Sequence, residues 1–151
     1  MSVLPIVIGE KNPVLRKQTR DVTKVTKDIL KLIKDMLDTM TEAKGAGLAA
    51  PQVGRTERVC IALIGKKIVP LINPHILWRS DSTAIAEEGC LSLPDVWLNI
   101  SRPTDITVEY LTAAGKKREV KLSGFDARVV QHEVDHLEGI LITDHRKQKI
   151  M

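Results

Sequence analysis

Residues 124–139 read GFDARVVQHEVDHLEG, and this stretch settles more about the chain than any other. Val129, Val130, Val134 and Leu137 recur at helical spacing, Gly124 or Phe125 opens the run, and Gly139 closes it. That pattern predicts a helix. Residues four apart on a helix stand one above the other, so His132 and His136 can turn both imidazoles to one metal ion. Glu133 lies one step round, close enough to address a water on that ion without being a ligand. This is the His-Glu-x-x-His arrangement of metallohydrolases. The plain alternative is two surface histidines on a charged helix.

The elements upstream follow from their periodicities. Residues 105–112 and 117–122 alternate apolar and polar around Ala113-Ala114-Gly115-Lys116, which predicts a hairpin. Residues 58–64 and 83–87 read as short strands, and residues 67–78 as a strand broken at Asn73-Pro74. Between residues 27 and 42, Ile29, Leu30, Leu32, Ile33, Met36, Leu37 and Met40 form the stripe of an amphipathic helix, with Thr26 or Thr23 as N-cap and Gly45 as stop. The stripe is core packing. Helix, mostly antiparallel strands, helix predicts an α+β fold, with the strands packed around the His-Glu-x-x-His helix and an amphipathic helix at the N-terminus. No repeat or linker divides residues 1–151, so one domain is expected.

Hydrophobic residues make up 43% and charged residues 28%, a balance that excludes a disordered chain. No apolar run reaches the roughly 20 residues needed to cross a bilayer, so no membrane partner is expected. The first residues carry neither a secretory signal nor a transit peptide pattern. Two cysteines, Cys60 and Cys90, make no disulfide framework, and a cytoplasmic location is the expectation. The net charge of +4 is spread out apart from the tail at 145–149, which reads as a solvated terminus or a contact for an acidic partner. With one Phe, one Tyr and two Trp, little is available for base stacking, and no specific nucleic acid is expected.

A hydrolytic metal site normally uses three protein ligands and keeps one position open. The helix supplies two. His75, His145 and Cys90 are the candidates for the third. His75 follows Asn73-Pro74 in a strand region and His145 lies in the polar tail, whereas Cys90 sits in Glu87-Glu88-Gly89-Cys90-Leu91-Ser92-Leu93-Pro94. Cys60, in an apolar run, reads as buried packing.

Three separated stretches resemble the signature motifs of peptide deformylases. They are residues 45–52 (GAGLAAPQ), 88–92 (EGCLS) and 131–139 (QHEVDHLEG), in family order, with further likeness at 12–16 and 124–128. The resemblance implies hydrolysis of the formyl group from N-formylmethionyl nascent peptides. It implies one divalent metal ion on Cys90, His132 and His136, Fe2+ in the cell, and that donor set also accepts Zn2+, Ni2+ or Co2+. Glu133 is then the base, and Gln52 through its amide and Leu91 through its backbone N–H are the donors to the oxyanion. Without the resemblance, Gln52 is a turn residue beside Pro51. Gly47, Ala46 and Glu88 are expected on the substrate side, with Gly47 admitting the peptide backbone.

Two features depart from the family. Ala46 stands where a branched aliphatic is common, and the chain ends soon after residue 144, which bears on any transient ribosome contact. Glu88 and Arg102 are either an ion pair behind the cysteine segment or two independent charges, and Asp135 either orients a ligand or is exposed. The competing readings are a zinc peptidase, which would draw its third ligand from His or Glu downstream, and a binding module whose structural metal has four protein ligands.

Overall fold

The structure, a computed structural model, describes residues 2–145. Its element order is helix α1 (Lys27–Ala43), strands β1 (Gly47–Ala49), β2 (Val59–Ile64), β3 (Lys67–Arg79), β4 (Thr83–Cys90), β5 (Leu93–Pro103), β6 (Asp105–Leu111) and β7 (Lys117–Ser123), helix α2 (Gly124–Leu137) and a short C-terminal turn of helix, α3 (Ile142–His145). Two 3-10 turns, Pro13–Arg16 and Ala50–Val53, complete it. The fold is α+β. β1, β2, β3, β6 and β7 form one antiparallel sheet in that order, and β4 pairs with β5 in a separate hairpin.

Side-chain alternation along the strands places a helix on each face of the large sheet. In β2, Val59 and Ile61 face α1 and pack with Ile29, Leu32, Ile33, Met36 and Met40. Cys60 and Ala62 face the other way, against Ala127, Val130, Val134 and Leu137 of α2. Full burial of a Leu, Ile, Val or Met side chain contributes about 1.5–3 kcal/mol, so each helix is held chiefly by its stripe. A third cluster joins Leu15, Leu93, Ile100, Leu141 and Ile142, and ties the β4–β5 hairpin to both ends of the described chain.

Thr26 caps α1 by accepting the Ile29 N–H at 3.3 Å. The stop is not at Gly45. Lys44 takes the left-handed conformation (φ 57°, ψ 38°), and the Gly45 N–H donates to Met40 O at 3.1 Å. β3 continues through Asn73-Pro74 by a register shift, because Asn73 is left-handed (φ 52°) and its side chain bonds both backbone groups of Val22. The bulge accommodates a proline that cannot donate to the ladder.

β4 runs to Cys90 rather than ending at Glu87, and the sequence reading assigns no element to β5. Val96, Leu98, Ile100 and Arg102 are the more buried positions of β5, while Trp97, Asn99 and Ser101 are exposed. An outward Trp and an inward Arg disguise that alternation. Residues 146–149 of the basic tail lie outside the described residues.

Candidate active site

Three segments of the chain deliver the chemistry. α2 carries His132, Glu133 and His136; the end of β4, at the irregularity between Gly89 and Cys90, carries the cysteine; β1 and the turn after it carry Gly47 and Gln52. One ligand atom each from Cys90, His132 and His136 lies within 4.8 Å of the others. Cys90 Sγ is 3.3 Å from His136 Nε2. A tetrahedral ion at ordinary metal–sulfur and metal–nitrogen distances separates its donors by about 3.5 Å, so the donors are spaced to hold one ion. His75 is not part of this group, and His145 bonds Asp135 instead.

The electrostatics favour positive charge at this point. Burial opposes charging of His132, but Cys90, Glu133 and Glu88 around it outweigh that and draw its pKa up to about 10, so the position favours a cation, and a metal ion bound there would take the place of that proton. His136 goes the other way. Burial, then the neighbouring His132 and Arg102, push its pKa down and keep it neutral, as a ligand imidazole must be. Two buried polar atoms here have no protein partner, Glu133 Oε1 and His136 Nδ1. Burial also lifts the Glu133 carboxyl to about 7, against the pull of His132 and Arg102. A carboxyl tuned to that range can take and return a proton near neutrality.

Gln52 is 2% exposed, and its amide orientation is set from both ends. Its Oε1 accepts the Ala49 N–H at 3.0 Å, which turns Nε2 toward Ser92 Oγ at 3.1 Å and Cys90 Sγ at 3.8 Å. Gly47 faces Glu133 so closely that a Cβ there would overlap the carboxylate, with Cδ at 2.8 Å. We predict that Gly47→Ala destabilises the protein by about 1–3 kcal/mol through this overpacking. Denaturant unfolding of both forms checks it, and equal midpoints would mean that Glu133 has room to shift.

Glu88 borders the cavity, yet both of its carboxylate oxygens are engaged by the protein. Arg102 Nε and Nη2 donate to it at 2.6 and 2.9 Å, Arg128 Nη1 at 2.6 Å, and His132 Nδ1 lies 3.0 Å away. The Glu88–Arg102 pair is therefore present and buried. Burial works against the Glu88 anion, but His132 and Arg102 overcome it and hold its pKa well below the usual carboxylate range. Asp135 is a correction. It bonds neither ligand imidazole directly, because its Oδ2 meets Arg102 Nη1 and His145 Nε2, both at 2.9 Å. Sequence reasoning assigned no role to Arg128, Ser92 or Trp97. The signal available was that Arg128 and Ser92 lie within the family-like stretches at 124–128 and 88–92.

A cavity of about 500 Å³ opens onto this group, bordered by Ala46, Gly47, Gln52, Cys90, Leu91 and Glu133. Trp97 and Phe125 line it too and are 64% and 62% exposed, which puts them at its mouth. Gly89 lets the indole lie against β4, since a Cβ there would come 2.6 Å from Trp97 Cζ3. Cys60 is fully buried, and burial, then Glu133, push its thiol pKa well up, which suits packing.

The geometry agrees with comparisons to known proteins. The profile of the Polypeptide deformylase family matches residues 3–150. A peptide deformylase from Thermotoga neapolitana is 46% identical over 136 residues, covering 90% of this chain and 83% of that one. The crystal structure of peptide deformylase from Thermotoga maritima superposes with a TM-score of 0.92 at 43% identity, covering 96% and 98% of the two chains. A Met-Ala-Ser-bound class I type b peptide deformylase from Acinetobacter baumannii gives 0.91 at 36% identity, covering 96% and 99%. A family match across nearly the whole chain, joined to a Cys-His-His group beside a buried glutamate, leads to one conclusion: the chain belongs to the polypeptide deformylase family.

Proposed function

We propose that this chain removes the formyl group from N-formylmethionyl nascent polypeptides and releases formate, as one catalytic domain, with Cys90, His132 and His136 holding a single divalent ion. The observation that carries this reading is the convergence of those three donors at the cavity, with Glu133 beside them. Held by these three residues, such an ion would supply a Lewis acid able to bring the pKa of water toward about 7. A thiolate among the donors weakens that acidity, which leaves more of the work to Glu133. The resemblance to the family supports Fe2+ in the cell, and Zn2+, Ni2+ and Co2+ suit the same donors.

Glu133 takes the proton of the attacking water and returns it to the departing amine. Gln52 Nε2 and the Leu91 backbone N–H donate to the oxygen that becomes negative as the formyl carbon is attacked. Glu88 fixes the His132 ring through Nδ1, which leaves Nε2 for the ion. β4 pairs only with β5 among the described strands, so its other edge, at Glu87–Gly89, can take an extended peptide by backbone hydrogen bonds. Such binding tolerates many sequences. Gly47 and Ala46 border the cavity, and in this reading they lie beside the substrate's first residue, with Ala46 giving that space a shape of its own.

No described helix is long and apolar enough to cross a membrane, and free Cys60 and Cys90 suit a reducing cytoplasm. The substrate emerges from the ribosome, so transient contact there is part of the proposal.

Formate release from formyl-Met-Ala-Ser after anaerobic ferrous loading tests the reading. Comparable cleavage of unformylated peptides would move the assignment to a peptidase. We predict that Gln52→Ala lowers kcat by about 10²–10³-fold with little change in KM, as for loss of one oxyanion donor. A raised KM at unchanged kcat would instead assign Gln52 to ground-state binding.

A further inference from the structure

A chain of hydrogen bonds runs from the last described residue to a candidate metal ligand. His145 Nε2 lies 2.9 Å from Asp135 Oδ2, and Arg102 Nη1 donates to that same oxygen at 2.9 Å. Arg102 Nη2 then donates to Glu88 Oε1 at 2.9 Å, and Glu88 Oε1 lies 3.0 Å from His132 Nδ1. Arg102 and Glu88 are 3% and 7% exposed, so water screens this part of the chain little. Among the described residues, the planar guanidinium is fixed at one edge by Glu88 and at the other by Asp135. Asp135 is the most open link, with 21% of its side chain exposed, and His145 closes that end.

His145 is itself held from elsewhere. Leu141, just before α3, and Ile142, its first residue, pack against Leu15, Leu93 and Ile100. Asp144 of that helix accepts from Arg16 at 2.6 Å and from the Leu141 N–H at 3.0 Å. The 3-10 turn at Pro13–Arg16 and the C-terminal turn thus clasp each other behind the site.

We infer that His145 is a positioning residue for the metal centre, acting on the His132 ring through Asp135, Arg102 and Glu88. The inference rests on the metal-binding role proposed above for His132. Without His145, Asp135 is free to turn to water, Arg102 loses the stop on its outer edge, and the carboxylate that sets the His132 tautomer loosens. Arg128 also holds Glu88, so the effect is partial. An outer partner of a metal ligand is typically worth 10–100-fold in affinity, and a group further out is expected to give roughly three- to tenfold.

The test is zinc affinity by chelator competition, with the visible spectrum of the Co2+-loaded protein as a second readout. His145→Ala is expected to weaken zinc three- to tenfold and to shift the Co2+ bands. His145→Gln, whose amide nitrogen can donate to Asp135, recovers most of both. Unchanged affinity and spectrum in His145→Ala would overturn the inference. So would an equal loss in both variants that follows a fall in the melting temperature of the metal-free protein, because that is packing alone. Zinc binding that survives His132→Ala undiminished is a separate result. It removes the ligand role of His132, and this inference with it.

Discussion

Glu133→Ala is expected to keep its metal and to lose about 10²–10⁴-fold in kcat, the usual worth of general acid–base catalysis. Three features of the structure lead to that figure. The carboxylate is 4% exposed and beside the Cys-His-His donors, so no bulk water substitutes for it readily. Its Oε1 has no protein partner, which leaves it available to a water or to the amine. Burial has lifted its pKa to about 7, where proton exchange near neutrality is efficient. Metal analysis beside steady-state formate release measures both halves of the expectation. Turnover within a few-fold of the unmodified chain would remove Glu133 as the base.

The second large effect is expected on the metal itself. Cys90→Ala deletes the only thiolate candidate of the group and leaves two imidazoles from one helix. Structural zinc sites with four ligands bind with roughly 10–16 kcal/mol, and an even share per ligand puts the loss near 10²-fold or more in affinity. The substitution empties a small, half-buried position at the end of β4, next to the cluster of Leu15, Leu93 and Ile100, so the fold should tolerate it. Stoichiometry after dialysis reads the result directly. One ion per chain retained by Cys90→Ala would mean that the third ligand is another residue. Glu133→Ala and Cys90→Ala therefore separate cleanly, one losing turnover with metal in place and the other losing metal.

Glu88, Arg102 and Arg128 show what was hard to see in advance. Glu88 stands next to a motif glycine and cysteine, and its place in the sequence suggests the substrate. The structure surrounds it with two arginines and an imidazole, from β5 and α2. Arg102 interrupts the apolar alternation of β5, which is why the strand is hidden in the sequence and why a guanidinium arrives behind α2. Asp135 misleads in the opposite way. It neighbours His136 in the chain, yet successive helix residues point about 100° apart, and it turns to Arg102 and His145.

The sequence by itself determined what local spacing can encode. Apolar residues at helical intervals place α1 and α2, strict alternation places the β6–β7 hairpin, and a four-residue step aligns His132 with His136. Cys90 could be named beforehand because its neighbours form a recognisable motif, but its approach to the imidazoles is a matter of tertiary structure. Pairings across 46 residues in the case of Cys90 and His136, or 44 in the case of Glu88 and His132, depend on which face of β4 meets α2. Only packing of both faces of the sheet fixes that choice, because a carboxylate has no stable place in the interior until its arginines have been brought to it from elsewhere in the chain.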